Sequence, residues 1–153
     1  MKTDISDERK AFLKKDFERG FIHFCRFKAT QASRGRFESI VEITDIHRQQ
    51  DGFIHAGVMA TLADHTAGYA AFTVVPEGFQ ILTVEFKINF LKPAFGEKLT
   101  CRSKVIREGR QILVAESEVF DIRKQGEILA AKAMVTLMAV AEETIVKSKS
   151  DSK

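Results

Sequence analysis

Between Gln49 and Tyr69 the chain reads QQDGFIHAGVMATLADHTAGY, and Asp64 is the only acid between Asp51 and Glu77. A carboxylate is costly to bury in so apolar a stretch unless something pairs with it. The bland reading is a helix acid that faces solvent. The chemical reading is acyl transfer, in which the carboxylate activates a water as general base or attacks the carbonyl carbon itself. Attack builds negative charge on the carbonyl oxygen, which needs hydrogen-bond donors aimed at it. The N–H groups of Ala56 and Gly57 fall at the start of a predicted helix, where backbone donors are free and the helix dipole favours an anion. Asp64 with Ala56 and Gly57 therefore suits hydrolytic acyl transfer.

The spacing carries a geometric consequence. Asp64 lies eight residues beyond Ala56, so at the helical rise the two are roughly 12 Å apart along the axis. A water activated by Asp64 must sit within about 3 Å of the carbonyl carbon whose oxygen the helix start holds. One helix cannot serve both ends of the same reacting group. The expected site thus joins the helix start of one subunit to Asp64 of another, as two antiparallel helices in a two-fold dimer would allow. His65 projects about 100° round the helix from Asp64 and reads as non-catalytic. Gly52 reads as a turn residue, and Gln49, from its position alone, as a hydrogen bonder of the loop.

The elements that must position these groups are legible from periodicity. Ser6 caps a helix to Arg19, with Asp7 and Glu8 in its first turn and Gly20 ending it. Two strand-like runs follow, Phe21–Thr30 and Arg36–Thr44. The alternation of Phe37, Ser39, Val41 and Ile43 with charged neighbours marks the second. Ala56–Phe72 is long and rich in Ala and Gly, a helix whose small side chains allow close packing. Four strands complete the chain, at 82–90, 97–107, 111–122 and 128–140, joined by short turns and hence antiparallel. In the first, Leu82, Val84, Phe86, Ile88 and Phe90 are expected on one face, with Thr83 and Glu85 on the other, which opens onto the interface unless a bulge intervenes. The predicted class is α+β, a six-stranded antiparallel sheet curled round the long helix. Residues 1–20 form an N-terminal helix of the same domain, 21–141 its main body, and 142–153 a polar, frayed tail.

At this segment the chain resembles the PaaI-like branch of the hotdog-fold thioesterases. Those proteins carry a loop with Asn or Gln, a Gly, an H-G-G triplet and a helix with L-x-D or L-x-E. Here the matching residues are Gln49, Gly52, His55-Ala56-Gly57 and Leu62-Ala63-Asp64, with His55 and Asp64 nine apart. The later NFLKPAFGEKLTCRSKVIREGR is similar to the family's strand, x-x-P, small residue and G-x-x-L segment. The resemblance spans roughly residues 35–140, and the departure is Ala56, where the family usually has Gly. It implies the hotdog fold, Asp64 as the key carboxylate and Gln49 in contact with the thioester or its leaving group. It also implies that His55 mainly holds the loop and that Thr83 orients water. Gly68 stands where some relatives have a hydroxyl. It further implies an acyl-CoA substrate bound at the interface of a homodimer, often paired into a homotetramer. The CoA phosphates call for basic residues, for which Lys92, Arg102, Arg107, Arg110, Arg123 and Lys124 are candidates, though scattered solvated charges read equally well. Phe53, Met59, Tyr69 and Phe72 are candidates for the acyl pocket or plain core.

Composition narrows the alternatives. A chain of 153 residues with a net charge of +3 and interspersed signs fits one domain and gives no nucleic-acid footprint. The N-terminus has no apolar leader and no stretch suits a membrane span, so a cytoplasmic protein is expected. Cys25 and Cys101 are far apart and match no metal or redox spacing. No cofactor is expected beyond the CoA of the substrate. Two other functions compete. A hotdog hydratase or dehydratase usually pairs its carboxylate with a catalytic His, whereas His65 is adjacent to Asp64 rather than one turn away. A non-catalytic acyl-CoA binding module would not need Asp64. Because no His/Cys/Asp/Glu cluster has ligand spacing, thiol release from an acyl-CoA should survive exhaustive chelation; activity lost to a chelator and restored by a divalent ion would contradict this reading.

Overall fold

The computed structural model describes residues 2–151. Helix α1 (Asp7–Phe17) begins where Ser6 accepts the Arg9 N–H. Next come α2 (Phe21–Cys25), β1 (Lys28–Ser33), β2 (Arg36–Glu42) and a single 3-10 turn, Asp45–His47. Helix α3 (Ala56–Phe72) follows, then β3 (Phe79–Phe90), β4 (Lys98–Glu108), β5 (Ile112–Arg123), β6 (Gly126–Ala141) and α4 (Glu142–Ser150). The six strands make one sheet in the order β1-β2-β4-β5-β6-β3, every pairing antiparallel. No helix among the described residues is long and apolar enough to cross a membrane.

The sheet curls round α3, whose Ala63, Ala67, Ala70 and Ala71 are wholly buried with Leu62. Methyl side chains keep the helix close to the strands, and its polar core groups find partners there. Thr66 Oγ1 donates to the Leu62 carbonyl and meets Ser39 Oγ of β2 at 2.6 Å. Ser117 Oγ of β5 donates to the Ala63 carbonyl and lies 2.5 Å from Ser103 Oγ of β4. Helix α1 closes one end: Phe17 is fully buried, stacked on Phe37 at 5.3 Å and edge-on to Tyr69 at 5.2 Å.

Three local expectations are corrected. Phe21–Thr30 is not one strand: Phe21–Cys25 forms the short helix α2, and β1 starts only at Lys28. Gly20 at φ 59° turns the chain in, and Arg26 at φ 64° turns it out. With both ends set by left-handed residues, five residues were too few for a helical period to show. Residues 142–150 of the tail form α4, though none is buried; Ser152 and Lys153 lie outside the described residues. Strand β3 does not keep one alternation. Its register on β6 pairs Thr83 with Leu137 but Glu85 with Thr136, leaving Val84 as a bulged extra residue. Directly paired residues share a face, so Thr83 lies on the same face as the buried Leu137 and Phe86 on that of the buried Val135. Leu82, paired with Met138, points the other way.

Removing the Phe17 ring should cost about 3–5 kcal/mol, as for other large-to-small changes in a core. Chemical denaturation of Phe17→Ala against the parent measures this; a loss below about 1 kcal/mol would mean that α1 adds little to the folded body.

Candidate active site

The bulge in β3 decides what meets Asp64. With Thr83 turned towards α3, its Oγ1 donates to Asp64 Oδ1 at 2.8 Å. Of the two placements open to Thr83, the regular alternation is ruled out and the bulge is the one found, which brings the two chemically interesting side chains together. Asp64 is half-buried in the single chain and Thr83 is exposed.

The start of α3 is built around two histidines. His55 is the N-cap, and its Nδ1 accepts the Gly57 N–H at 2.8 Å. The His55 N–H donates to the carbonyl of His47, a buried residue. His47 Nδ1 accepts the Thr44 N–H at 3.0 Å, so its Nε2 carries the proton and donates to the Cys25 carbonyl at 2.7 Å. His55 thus holds the helix start, and it occupies one of the two N–H groups expected to be free. Ala56 is an exposed residue, and its N–H has no acceptor among the described residues. Gln49 lies in the tight loop before this cap. Its N–H donates to Phe53 O, its carbonyl accepts from Gly52 N–H, and its Oε1 accepts from Asp51 N–H. Gly52 takes φ 87°, the turn role expected of it.

Helix α3 is uninterrupted from Ala56 to Phe72, so the separation of roughly 12 Å between Ala56 and Asp64 stands. Between them runs a groove of about 600 Å³ whose lining includes Gly57, Ala60, Thr61 and Asp64, with Phe21 and Phe86 opposite. A second hollow of about 330 Å³ shares Phe21, Gly57 and Thr61 and continues to Phe24, Ile46 and His55. The α2 aromatics were missed by sequence reasoning; Phe21 and Phe24 stand three apart, a helical spacing, but a single such pair in a run taken for a strand was too short a signal. Of the expected pocket residues, Met59 and Tyr69 are buried core, Phe72 packs on Tyr69 at 5.2 Å, and Phe53 stands exposed against Phe95. Arg102 forms a two-pronged pair with Glu127. Arg123 is bound to the buried Asp121, while Lys92, Arg107, Arg110 and Lys124 are exposed. None of these cations lines the Asp64 groove.

His65 also lines the groove, but its ring is committed to the core. Its Nε2 donates to Phe17 O at 3.0 Å, and its ring packs on Phe17 and Tyr69. The Tyr69 hydroxyl donates to Asp16 Oδ2 at 2.7 Å. Burial among these rings pushes the His65 pKa below 6.5, partly opposed by the Phe17 carbonyl and the nearby Asp64 and Asp16.

The sequence model of the thioesterase superfamily matches residues 51–136, more than half of the chain. A protein of Saccharolobus solfataricus named "Putative esterase" is 32% identical over 121 residues, covering 79% of this chain and 84% of that protein. A crystal structure of a thioesterase family protein from Silicibacter pomeroyi superposes with a TM-score of 0.82 at 34% identity, covering 86% of this chain and 98% of that one. A Streptococcus pneumoniae protein described as a hypothetical thioesterase, solved with coenzyme A, shares the fold at TM-score 0.69 and 21% identity, over 83% of this chain and 96% of that one. The chain belongs to the thioesterase superfamily, has its hotdog fold, and is a thioester hydrolase.

The depressed His65 pKa sets a pH dependence. A neutral imidazole is favoured in the folded state, so the unfolded chain binds more protons just below pH 6.5. Stability from this group is fully present above that pH and falls away as pH drops towards the folded value. Urea titrations of the parent and His65→Gln between pH 8 and 5 should converge as the solution is acidified. Parallel curves would show that His65 is not the titrating group.

Proposed function

We propose that this chain is a PaaI-like acyl-CoA thioesterase, active in the cytoplasm as a homodimer at minimum and as a tetramer of paired dimers. The observation that carries the reading is the Thr83–Asp64 hydrogen bond beside the groove that leads to the α3 start. The substrate carbonyl binds at the open Ala56 N–H, with the Gly57 N–H joining if His55 releases it. Asp64 takes the proton from a water that Thr83 helps to orient, and the water oxygen bonds to the carbonyl carbon. Direct attack by the carboxylate, giving an anhydride that water then opens, uses the same groups. Collapse of the oxyanion breaks the C–S bond and releases CoA thiolate, which takes up the proton. Gln49 holds the thioester or the leaving group with its amide NH2. No cofactor is required. The coenzyme A held by the pneumococcal protein supports CoA as the leaving group.

Dimerisation is supported by β3. This strand is an edge, bonded only to β6, and exposes Leu82, Val84, Phe86 and Phe90, with Leu91 beyond its end. A long apolar edge with free N–H and C=O groups is a liability unless another strand covers it. A two-fold pairing of β3 with a second β3 covers it and brings the α3 start of one subunit towards Asp64 of the other. A hydratase is the second reading; it would pair Asp64 with a catalytic histidine, and the adjacent His65 is committed to Phe17.

Two variants test chemistry and sharing together. Asp64→Ala should lower thiol release by about 10²–10⁴-fold. Ala56→Pro should also be inactive, because it deletes the open donor. Its fold should survive, since proline suits the first helical position and His55 already has φ −62° and ψ 134°, which a following proline favours. Mixed under subunit exchange, the two dead proteins should regain up to about half the activity per heterodimer, because one of two symmetric sites is whole. Recovery absent from verified heterodimers would rule out the shared site; native turnover by Asp64→Ala would rule out the chemistry.

A further inference from the structure

Asp121, at the end of β5, is fully buried and takes no part in the chemistry above. Its Oδ2 accepts the Phe95 N–H at 3.1 Å and the Arg123 Nε–H at 2.7 Å, and its Oδ1 accepts the Gly96 N–H at 3.0 Å. Arg123 also donates to Pro93 O at 2.7 Å and lies 3.7 Å over the Phe95 ring. On the other side of the same turn stands Arg48, which donates to Phe95 O, to Gly96 O at 3.1 Å and to Gly52 O at 2.9 Å. The Phe95–Gly96 peptide is therefore gripped from both sides, its C=O towards a guanidinium and its N–H towards a carboxylate. That alignment is electrostatically favourable and strongest away from water. A side chain at Gly96 is excluded, because its Cβ would fall 2.4 Å from Asp121 Oδ1 and 2.5 Å from Ile122 O.

What the turn holds is the catalytic loop. Ile54 N–H donates to Ala94 O at 2.8 Å, Arg48 and Ile54 form an isolated bridge, and Gln49 and His55 flank that bridge in the chain. We propose that Asp121 and Arg48 are positioning residues: the clasp they form on the Pro93–Gly96 turn sets where Gln49 and the His55 cap stand relative to the thioester. This rests on the acyl-CoA thioesterase reading for its catalytic consequence, whereas the mechanical consequence does not.

Asp121→Asn swaps an acceptor oxygen for an NH2 that faces N–H donors. Arg48→Lys keeps the charge but cannot reach three carbonyls; Arg48 is half-buried, so this variant carries the test if Asp121→Asn fails to fold. Hydrogen exchange should accelerate about tenfold or more at the amides of residues 49–55, with the β4 and β5 amides unchanged. In thiol release, Arg48→Lys should lower kcat about tenfold with KM little altered, as expected when a contact made in the transition state is misplaced. In a Gln49→Ala background the same change should cost less than it does in the parent, the remainder being carried by the His55 cap. Unchanged loop exchange, acceleration spread equally over the sheet, or costs that multiply in the double variant would each overturn the proposal. Absence of any thioesterase activity would count against the proposed function, and the exchange result would still decide the clasp.

Discussion

Close approach between α3 and the sheet is the constraint on which the rest of the molecule depends. Ala63, Ala67, Ala70 and Ala71 offer no side chain beyond Cβ, so the strands can curl round the helix with little void between them. Proximity creates a second demand, because backbone carbonyls and hydroxyls are then shut away from water. Ser39, Thr66, Ser103 and Ser117 answer it by bonding to one another and to the Leu62 and Ala63 carbonyls. Such bonds add directionality to an otherwise smooth alanine face. They fix how far α3 slides and turns, and therefore where Asp64 emerges from the other side of the helix.

Strand β3 receives that carboxylate. A regular β3 would have turned either Thr83 or Phe86 away from α3, since an odd separation puts two residues on opposite faces. The extra residue at Val84 lets both face inwards. One bulge thus gives the carboxylate a hydroxyl partner and the groove an aromatic wall. Bulges commonly re-aim a side chain in this way. The same strand keeps its outer edge free and apolar, so the local geometry of the acid and the need for a partner subunit lie on a single element.

The other end of α3 is held by a different device. Charged groups in partly or fully buried positions, Arg48, Asp121 and Arg123, grip one turn between them, and that turn supports the loop bearing Gln49. A buried carboxylate with three donors is a demanding arrangement, because losing any donor leaves charge unpaired in a low dielectric. Loops that carry chemistry need rigid support of this kind when their own sequence is short and polar.

Periodicity and composition were enough to determine α1, α3, the five strands from β2 to β6 and an antiparallel α+β sheet round a small-residue helix, because each depends on repeats visible within a few residues. They also singled out Asp64, a lone acid in an apolar helix, and the helix start at Ala56 and Gly57, while the loop with Gln49 and His55 came from the resemblance to the PaaI-like thioesterases. Tertiary structure alone decided the rest. The α2 helix is set by two left-handed residues, Gly20 and Arg26, whose backbone angles no side-chain pattern reveals. The Val84 bulge depends on the register with β6, so the facing of Thr83 towards Asp64 could not follow from β3 alone. His55 takes the Gly57 N–H that seemed free, a choice made by rotamer and not by residue type. Asp121, Arg48 and Gly96 lie far apart in sequence and become a single clasp only when β5, the cap loop and the Pro93–Gly96 turn are packed together, because hydrogen bonds are read in space and not along the chain.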